Sequence, residues 1–117
     1  MVRLDVVRLD QVTIARITGA IDASNVGDLE QGLAPTIPND ALGLVVDLTA
    51  TTYIDSTGIR LLFDLSERLG WRGQTLRLVL PANAPIRRIL AITRLDTLVP
   101  VDPDCDTAVA QLSSAAR

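Results

Sequence analysis

The sequence contains no histidine and no lysine, so all 11 of its basic residues are arginine. The absence of histidine excludes a Ser-His-Asp triad and a histidine zinc ligand. The absence of lysine excludes a Schiff base and the lysine of a phosphate-binding P-loop. The single cysteine, Cys105, has no partner for an internal disulfide and no neighbouring base to activate it. We therefore expect a protein that is not an enzyme, with no catalytic or metal-binding residues and no cofactor.

Aromatic residues, basic stretches and long apolar runs are also scarce. Aromatics make up 3% of the 117 residues and the formal net charge is -3, so we expect an aliphatic core and no basic stripe for nucleic acid. The longest apolar run, ALGLVV at 41–46, is far shorter than the ~20 residues that span a bilayer. With one cysteine and no secretory leader, the expected location is the cytoplasm, without membrane insertion.

Alternating and continuous apolar segments predict the strands. Residues 2–9 and 12–18 alternate apolar with polar side chains, which indicates a β-hairpin whose second strand ends at Gly19. Residues 42–48 are nearly all apolar, as expected of a strand buried on both faces of a parallel sheet. Two further strands are predicted at 75–80 and 97–101.

Apolar residues at helical spacing predict helices between these strands. The first, 22–33, begins with Asp22 or Ser24 as its N-cap, because these side-chain oxygens can accept an orphan backbone N–H. The order of elements predicts a single α/β domain over residues 1–117, with an N-terminal hairpin and a mostly parallel sheet on which the helices pack. The remaining helices are predicted at about 57–69, from Pro85 to about residue 93, and at about 104–115.

The segment YIDSTGIR at 53–60 follows the most apolar strand and leads into the most regular helix. One interpretation is a helix start in which Asp55 or Ser56 is the N-cap and Gly58 allows close packing. A second is a switch site, because a helix N-terminus beside strand ends stabilises a negative group and Ser56 could carry a phosphate there. A third reads Asp22 and Asp55 as an acid/base pair for glycoside hydrolysis. Acids at such positions more often form caps and turns, which disfavours the third interpretation.

Three blocks of the sequence resemble the STAS domain family, and in particular its stand-alone bacterial anti-sigma factor antagonists. They are GAID at 19–22, VVDLTATTYIDSTGIRLL at 45–62 and ITRLDTLVPVDPD at 92–104. The family pattern in the middle block is an apolar strand, an Asp, a loop, and then D-S-[ST]-G with an apolar residue. The resemblance extends over essentially the whole chain and implies a STAS-like α/β fold. The matching positions are Asp47, Asp55, Ser56, Thr57, Gly58 and Ile59.

The resemblance also implies a mechanism. An antagonist of this kind binds an anti-sigma factor that has a kinase fold, binds ATP and phosphorylates serine, and this binding releases a sigma factor for transcription. Phosphorylation of the serine that corresponds to Ser56 ends the binding, and a separate phosphatase restores it. By position, the implied partner-binding residues are Asp22, Ser24, Asn25, Asp55, Thr57, Gly58, Ile59 and Arg60.

Other roles of STAS domains leave two alternatives open. A STAS chain can be an accessory subunit of an ABC-type lipid transporter, or a component of a stressosome-like scaffold. The type of partner distinguishes them from an antagonist: a transporter ATPase, a megadalton complex or a kinase-fold ATPase.

Three positions outside these motifs carry separate expectations. Arg94 stands where the family often has a glycine, and we interpret it as a helix C-terminus that uses arginine for its dipole instead of a left-handed glycine. Trp71 is expected to cover the edge of the sheet, and the alternative is a hot spot for binding a partner. Thr49, Thr51 and Thr52 are expected to lie in a loop.

Overall fold

The computed structural model describes residues 2–115, which form one six-stranded sheet with helices on both faces. The strands are β1 (Arg3–Leu9), β2 (Val12–Ile21), β3 (Gly43–Asp47), β4 (Thr51–Ile54), β5 (Thr75–Val79) and β6 (Val101–Asp102). The helices are α1 (Val26–Leu33), α2 (Ser56–Trp71), α3 (Arg87–Ile92), α4 (Leu95–Leu98) and α5 (Cys105–Ala115), and a short 3-10 helix spans Ala34–Thr36.

The sheet has the predicted mixture of pairings. Strands β1 and β2 form an antiparallel hairpin, and the pairings of β2 with β3, β3 with β5 and β5 with β6 are parallel. Strand β4 runs parallel to the second half of β2, beyond the point where β3 ends. All five residues of β3 are buried, as expected from the apolar run at 42–48. The predicted fold class, an α/β domain with an N-terminal hairpin and a mostly parallel sheet, is confirmed.

The helices pack on the two faces of the sheet in layers of unequal size. Helices α1 to α4 cover one face, where Leu62, Leu65 and Leu69 form the buried stripe of α2. Helix α5 covers the other face with Ala108 and Leu112. Each fully buried leucine stabilises the fold by about 1.5–3 kcal/mol relative to an exposed one. The stripe therefore holds α2 firmly on the sheet and fixes the position of its first turn.

Strand β2 continues past Gly19, where it was predicted to end. Gly19 has a φ of 100°, which glycine adopts without steric cost, and the register of the pairing with β4 shifts at this residue. The threonines Thr51 and Thr52 lie in β4, so the prediction that they belong to a loop is wrong. The Thr51 hydroxyl donates to the Ile17 carbonyl of β2 at 2.8 Å. Only the two end residues of β4 are buried, so the sequence offers no alternating pattern there.

Helix α1 begins at Val26 and not at Asp22. The Asp22 carboxylate accepts a hydrogen bond from the Ser24 backbone N–H at 2.9 Å, and the Asn25 side-chain oxygen accepts one from the Asp22 backbone N–H at 3.1 Å. These bonds form a turn ahead of the helix and place Asn25 at the N-cap position. The prediction that Asp22 or Ser24 caps this helix is therefore wrong, because both side chains stabilise the preceding turn.

The predicted strand at 97–101 is wrong except at its last residue. Residues 97 and 98 belong to helix α4, and the Val99 backbone N–H donates to the Leu95 carbonyl at 2.8 Å. Leu95 and Val99 lie one helical turn apart and are both buried. Their tertiary packing overrides the strand propensity of the segment. The strand pairing with β5 begins only at Val101.

Trp71 is 83% exposed, so the prediction that it covers the edge of the sheet is wrong. It is the last residue of α2 and follows the buried Leu69 by two positions. Two residues correspond to about 200° of rotation in an α-helix, which turns Trp71 away from the buried stripe.

Candidate functional site

The predicted switch segment lies where β2 and β4 end side by side. Ile21 pairs with Ile54 in the parallel ladder, so the residues that follow, Asp22 and Asp55, leave the sheet as neighbours. The Asp55 backbone N–H donates to the Ile21 carbonyl at 3.2 Å. Both acids therefore lie beside the start of α2, at the carboxyl ends of parallel strands, where α/β proteins commonly place ligand and switch sites.

Asp55 is the N-cap of α2. Its carboxylate accepts hydrogen bonds from the backbone N–H groups of Thr57 at 2.9 Å and Gly58 at 3.3 Å, and from the Thr57 hydroxyl at 2.5 Å. The Thr57 hydroxyl, together with the backbone N–H groups of Gly58, Thr57 and Ala23, holds the pKa of Asp55 below its ordinary value of 3.8. The ionised carboxylate satisfies donors that the first helical turn leaves without intrahelical partners.

Ser56 is the first residue of α2, and it is exposed. Within residues 2–115, no hydrogen bond involves its hydroxyl, whereas Asp55 makes all the side-chain capping bonds. The interpretation of Ser56 as the N-cap is therefore wrong. Because the cap belongs to Asp55, a chemical change at the Ser56 hydroxyl leaves the start of the helix intact.

Gly58 allows the first turn of α2 to approach the ends of the strands. It is buried, and a Cβ at this position would lie 2.6 Å from Ile54 Cγ1 and 2.8 Å from Ile21 Cγ2. Contacts this short require packed side chains to move, so only glycine fits without rearrangement. The packing role predicted for Gly58 is confirmed.

The loop between β2 and α1 lies next to the cap of α2. The Asp22 carboxylate accepts a hydrogen bond from the Ser24 hydroxyl at 2.5 Å, and the Asn25 side-chain nitrogen donates to a β2 carbonyl at 2.9 Å. The Asp55 backbone N–H donates to the carbonyl of Ile21, the residue directly before this loop, at 3.2 Å, which joins the loop to the helix start. Asp22 and Asp55 are thus a turn former and a cap, as the simplest interpretation of the two acids predicted.

Two surface grooves meet at the first turns of α2. The α1–α2 groove has a volume of about 410 Å³, and the α2–α4 groove has a volume of about 290 Å³. Ser56 and Arg60 line both grooves, so a change at Ser56 affects both surfaces at once. The α1–α2 groove also contains Glu30, Thr57 and Asp64, and the α2–α4 groove contains Ile59, Phe63, Thr93, Leu95 and Leu98.

Of the residues that line the α2–α4 groove, the sequence predicted Ser56, Ile59 and Arg60 as site residues, but not Phe63, Thr93, Leu95 and Leu98. Phe63 follows Ile59 by four residues, so helical spacing alone places the two on one face and would have found it. Leu95 and Leu98 face them from α4. The sequence predicted a strand that begins at residue 97 and no helix over 95–98. It therefore did not indicate that α4 forms one side of this groove.

Arg94 joins α3 to α4 with a left-handed backbone, at φ 61° and ψ 18°. The expectation that arginine replaces the left-handed turn is therefore wrong, because Arg94 itself adopts it. This conformation costs a non-glycine residue roughly 1–2 kcal/mol. Within residues 2–115, the Arg94 side chain has no hydrogen bond or ion pair that would offset this cost.

A third groove, of about 440 Å³, lies beside α5 on the other face of the sheet. Burial alone would raise the pKa of Asp47 in this groove, but hydrogen bonds from Thr49 and Cys105 and the charge of Arg16 hold it below its ordinary value. Burial and the Asp47 carboxylate raise the pKa of the Cys105 thiol to about 11. The expectation that nothing near Cys105 activates it is confirmed.

Membrane-spanning helices and metal-binding clusters are absent from the part of the chain that the structure describes. Among its helices, none is long and apolar enough to cross a membrane. Its cysteine, aspartate and glutamate side chains form no cluster of three or more that could hold a metal ion.

Comparisons with known proteins agree with this architecture. A family model described as STAS domain matches residues 3–108. The anti-sigma-F factor antagonist RsfB of Mycobacterium tuberculosis is 30% identical over 59 residues, which are 50% of this chain and 48% of that relative. The protein named "Putative anti-sigma factor antagonist BtrV" of Bordetella bronchiseptica is 27% identical over 114 residues, which are 97% of each protein.

Among solved structures, the crystal structure of an anti-sigma factor antagonist from Mycobacterium paratuberculosis matches with a TM-score of 0.86 at 27% identity. The match covers 97% of this chain and 95% of that chain. The present chain thus spans about half the length of RsfB and nearly the whole length of the other two proteins.

Proposed function

The chain belongs to the STAS domain family, and we propose that it is an anti-sigma factor antagonist whose partner binding is switched off by phosphorylation of Ser56. The names of the matched relatives support the class of function. The observation that carries the assignment of the switch is the exposed Ser56 hydroxyl, which the cap of α2 does not use. In this proposal residues 1–117 act as one regulatory domain in the cytoplasm, without enzymatic activity of their own.

In the unmodified state, the surface around Ser56 binds an anti-sigma factor that has a kinase fold and binds ATP. Arg60 and Ile59 line the grooves and contact the partner directly. Gly58 is buried, so its part is to hold α2 close to the strands. Binding removes the anti-sigma factor from its sigma factor, which then becomes available for transcription. The proposed contact surface consists of Asp22, Ser24, Asn25, Asp55, Thr57, Ile59 and Arg60, and Gly58 supports it from beneath.

The switch is a phosphoryl transfer from the ATP of the partner to Ser56. The bond between the γ-phosphorus and the bridging oxygen breaks, a new phosphorus–oxygen bond forms to Ser56 Oγ, ADP leaves, and the hydroxyl proton passes to a base of the kinase. A phosphatase later hydrolyses the phosphoester and regenerates the hydroxyl. The chain itself contributes the acceptor oxygen and its placement.

Phosphorylation ends the binding through charge and fit. A phosphoserine adds about -1.5 to -2 charge at pH 7, at a residue that lines both grooves together with Arg60. Glu30 and Asp64 already make the α1–α2 groove acidic, so the added charge repels any acidic partner group there. Because Asp55 retains the cap, this change does not require refolding.

The proposal is tested by incubating the purified chain with an anti-sigma factor of the same organism and ATP, and by mapping any phosphoryl group by mass spectrometry. We expect one phosphoryl group on Ser56, and none on a Ser56→Ala variant. Ser66→Ala removes a hydroxyl further along α2 and is the matched control, which we expect to be phosphorylated like the parent chain. Phosphorylation at another residue, or none with any anti-sigma factor of the organism, would contradict the proposed switch.

A further inference from the structure

Within residues 2–115, Arg60 is the one cation that lines the α1–α2 and α2–α4 grooves. It follows Ser56 by four residues on α2, so the two side chains are neighbours on one face of the helix, with Cβ atoms about 5–6 Å apart. The Arg60 side chain is 78% exposed, and it forms an ion pair with Asp64 at 3.6 Å. Such exposed pairs contribute little to stability, so Arg60 can change partners readily.

The direction of the helix favours Ser56 over Asp64 as the site of an anionic partner for Arg60. On an α-helix, an acid four residues before a base is the better arrangement, and an acid four residues after it is the poorer one. Asp64 follows Arg60, whereas a phosphate on Ser56 would precede it. Side chains also lean toward the helix N-terminus, which brings the Arg60 guanidinium toward the turn that contains Ser56. A phosphate carries more charge than a carboxylate and more acceptor oxygens.

We propose that Arg60 binds the phosphate of phosphorylated Ser56 and releases Asp64 when it does so. This inference rests on the proposed function in one respect, namely that Ser56 is the residue that carries the phosphate. It assigns to Arg60 a role beyond contact with the partner in the unmodified state. The phosphate and the arginine form an ion pair along one turn of α2.

Because of this exchange, phosphorylation weakens partner binding more than the charge of the phosphate alone would. In the unmodified protein, Arg60 supplies the positive charge of both grooves. Once it pairs with the phosphate, neither groove presents a cation to a partner, and Asp64 is left as an unpaired acid at the rim of the α1–α2 groove. A partner that bound Arg60 through a carboxylate would lose that contact as well as meet the new charge.

The charged groups around Ser56 determine whether the second pKa of a phosphate at this position is raised or lowered. Asp55 and Asp64 on its own segment and Asp22 in the neighbouring loop are acids, and each disfavours the dianionic phosphate and raises its second pKa. Glu30 across the α1–α2 groove acts in the same direction, although its ion pair with Arg68 at 3.5 Å weakens its effect. Among the described residues that line the α2–α4 groove, Arg60 carries the one charge. Arg60 is therefore the lining residue that lowers the pKa of the phosphate, and its removal must raise that pKa.

The test uses the full chain with phosphoserine introduced at position 56 during translation, so no kinase is needed. The second pKa of the phosphate, near 6 in an unperturbed phosphoserine, is measured from the ³¹P chemical shift as a function of pH. We expect Arg60→Gln to raise this pKa by roughly 0.3 units or more, the size expected of an exposed pair one turn apart. Arg60→Lys keeps the positive charge and is expected to stay close to the parent chain.

Arg8→Gln is the matched control, because it removes the same charge from an exposed position remote from both grooves. Arg8 is in register with Thr13 near the start of β2, about 26 Å along the strand from the end beside which α2 begins, beyond the Debye length at physiological ionic strength. We expect the phosphate pKa of this variant to equal that of the parent chain. Equal values for Arg60→Gln and Arg8→Gln would overturn the proposal. Since the phosphate is installed without the partner, this outcome is independent of whether an anti-sigma factor binds the chain.

Discussion

The Asp55 carboxylate caps helix α2 through the Thr57 and Gly58 backbone N–H groups, and the adjacent Ser56 hydroxyl remains in solvent. Capping and modification could both have fallen to a single serine, but here they belong to two neighbouring residues. Asp55 stabilises the helix start, and Ser56 is available for modification. A charge at Ser56 therefore removes no capping hydrogen bond, and we expect substitutions at the two positions to have separate effects.

A change of Ser56 to aspartate is expected to affect partner binding and not stability. Ser56→Asp places a negative charge in the first turn of α2, where charge of that sign is tolerated, and we expect the free energy of unfolding to change by no more than about 0.5 kcal/mol. Ser56→Ala should also be near neutral, because no cap is lost. Binding of the anti-sigma factor to Ser56→Asp should weaken at least about tenfold, or ~1.4 kcal/mol. Urea unfolding and calorimetric titration measure the two effects, and loss of folding in Ser56→Asp would contradict the assignment of the cap.

The low pKa of Asp55 predicts how stability depends on pH. A carboxyl whose pKa is lowered by folding stabilises the protein above the unfolded value, near 3.8, and this contribution is lost as the pH falls through the folded value. Asp55→Asn keeps a good capping side chain but cannot titrate. We therefore expect the melting temperature of the parent chain to fall more steeply below about pH 4 than that of Asp55→Asn. Parallel melting curves across that range would show that the Asp55 charge does not contribute.

Two glycines of α2 predict opposite outcomes for the same substitution. Gly58→Ala forces a Cβ against Ile54 and Ile21, and we expect a loss of about 1–3 kcal/mol despite the higher helix propensity of alanine. Gly70→Ala meets no atom within 4 Å and should stabilise the protein by up to about 1 kcal/mol. Chemical denaturation of both variants measures the difference. If Gly58→Ala were as stable as Gly70→Ala, the close approach of α2 to the strands would not be the reason for glycine at position 58.

The left-handed backbone of Arg94 predicts a stabilising substitution. Arg94→Gly removes the strain of a Cβ in this conformation and should raise the free energy of unfolding by about 1 kcal/mol. Arg94→Ala removes the long side chain but keeps the Cβ, so it serves as the control and should bring no gain. Thermal or chemical unfolding compares the two variants. A gain in both would assign the cost to the side chain and not to the backbone.

The central elements of the fold could be predicted from the sequence because their patterns reflect their burial. The run at 42–48 is apolar throughout because β3 is buried on both faces, and helix α2 shows a leucine stripe at helical spacing. Strand β4 could not be predicted, since its middle residues are exposed and its partner, β2, lies about 30 residues earlier in the chain. Helix α4 could not be predicted either, because its segment has a strand-like composition. Its helical conformation depends on tertiary contacts that bury Leu95 and Val99.

The candidate site was located from the sequence but its internal arrangement was not. The D-S-T-G motif identified Ser56 and its neighbours, since hydroxyl and carboxyl side chains beside a strand end indicate a helix start. Which residue caps could not be decided, because serine and aspartate are about equally good N-caps. The pairing of Ile21 with Ile54 that brings Asp22 beside Asp55 depends on β4. The α2–α4 groove depends on α4 in the same way.

The most direct test of the central claim is affinity capture from a native lysate with two baits, Ser56→Ala and Ser56→Asp, followed by mass spectrometry. We expect Ser56→Ala to capture an anti-sigma factor with a kinase-type ATP-binding fold, and Ser56→Asp not to capture it. Capture of the same transporter ATPase, or of the same scaffold of very large mass, by both baits would contradict it, and the D-S-T-G segment would then be a docking loop without a switch.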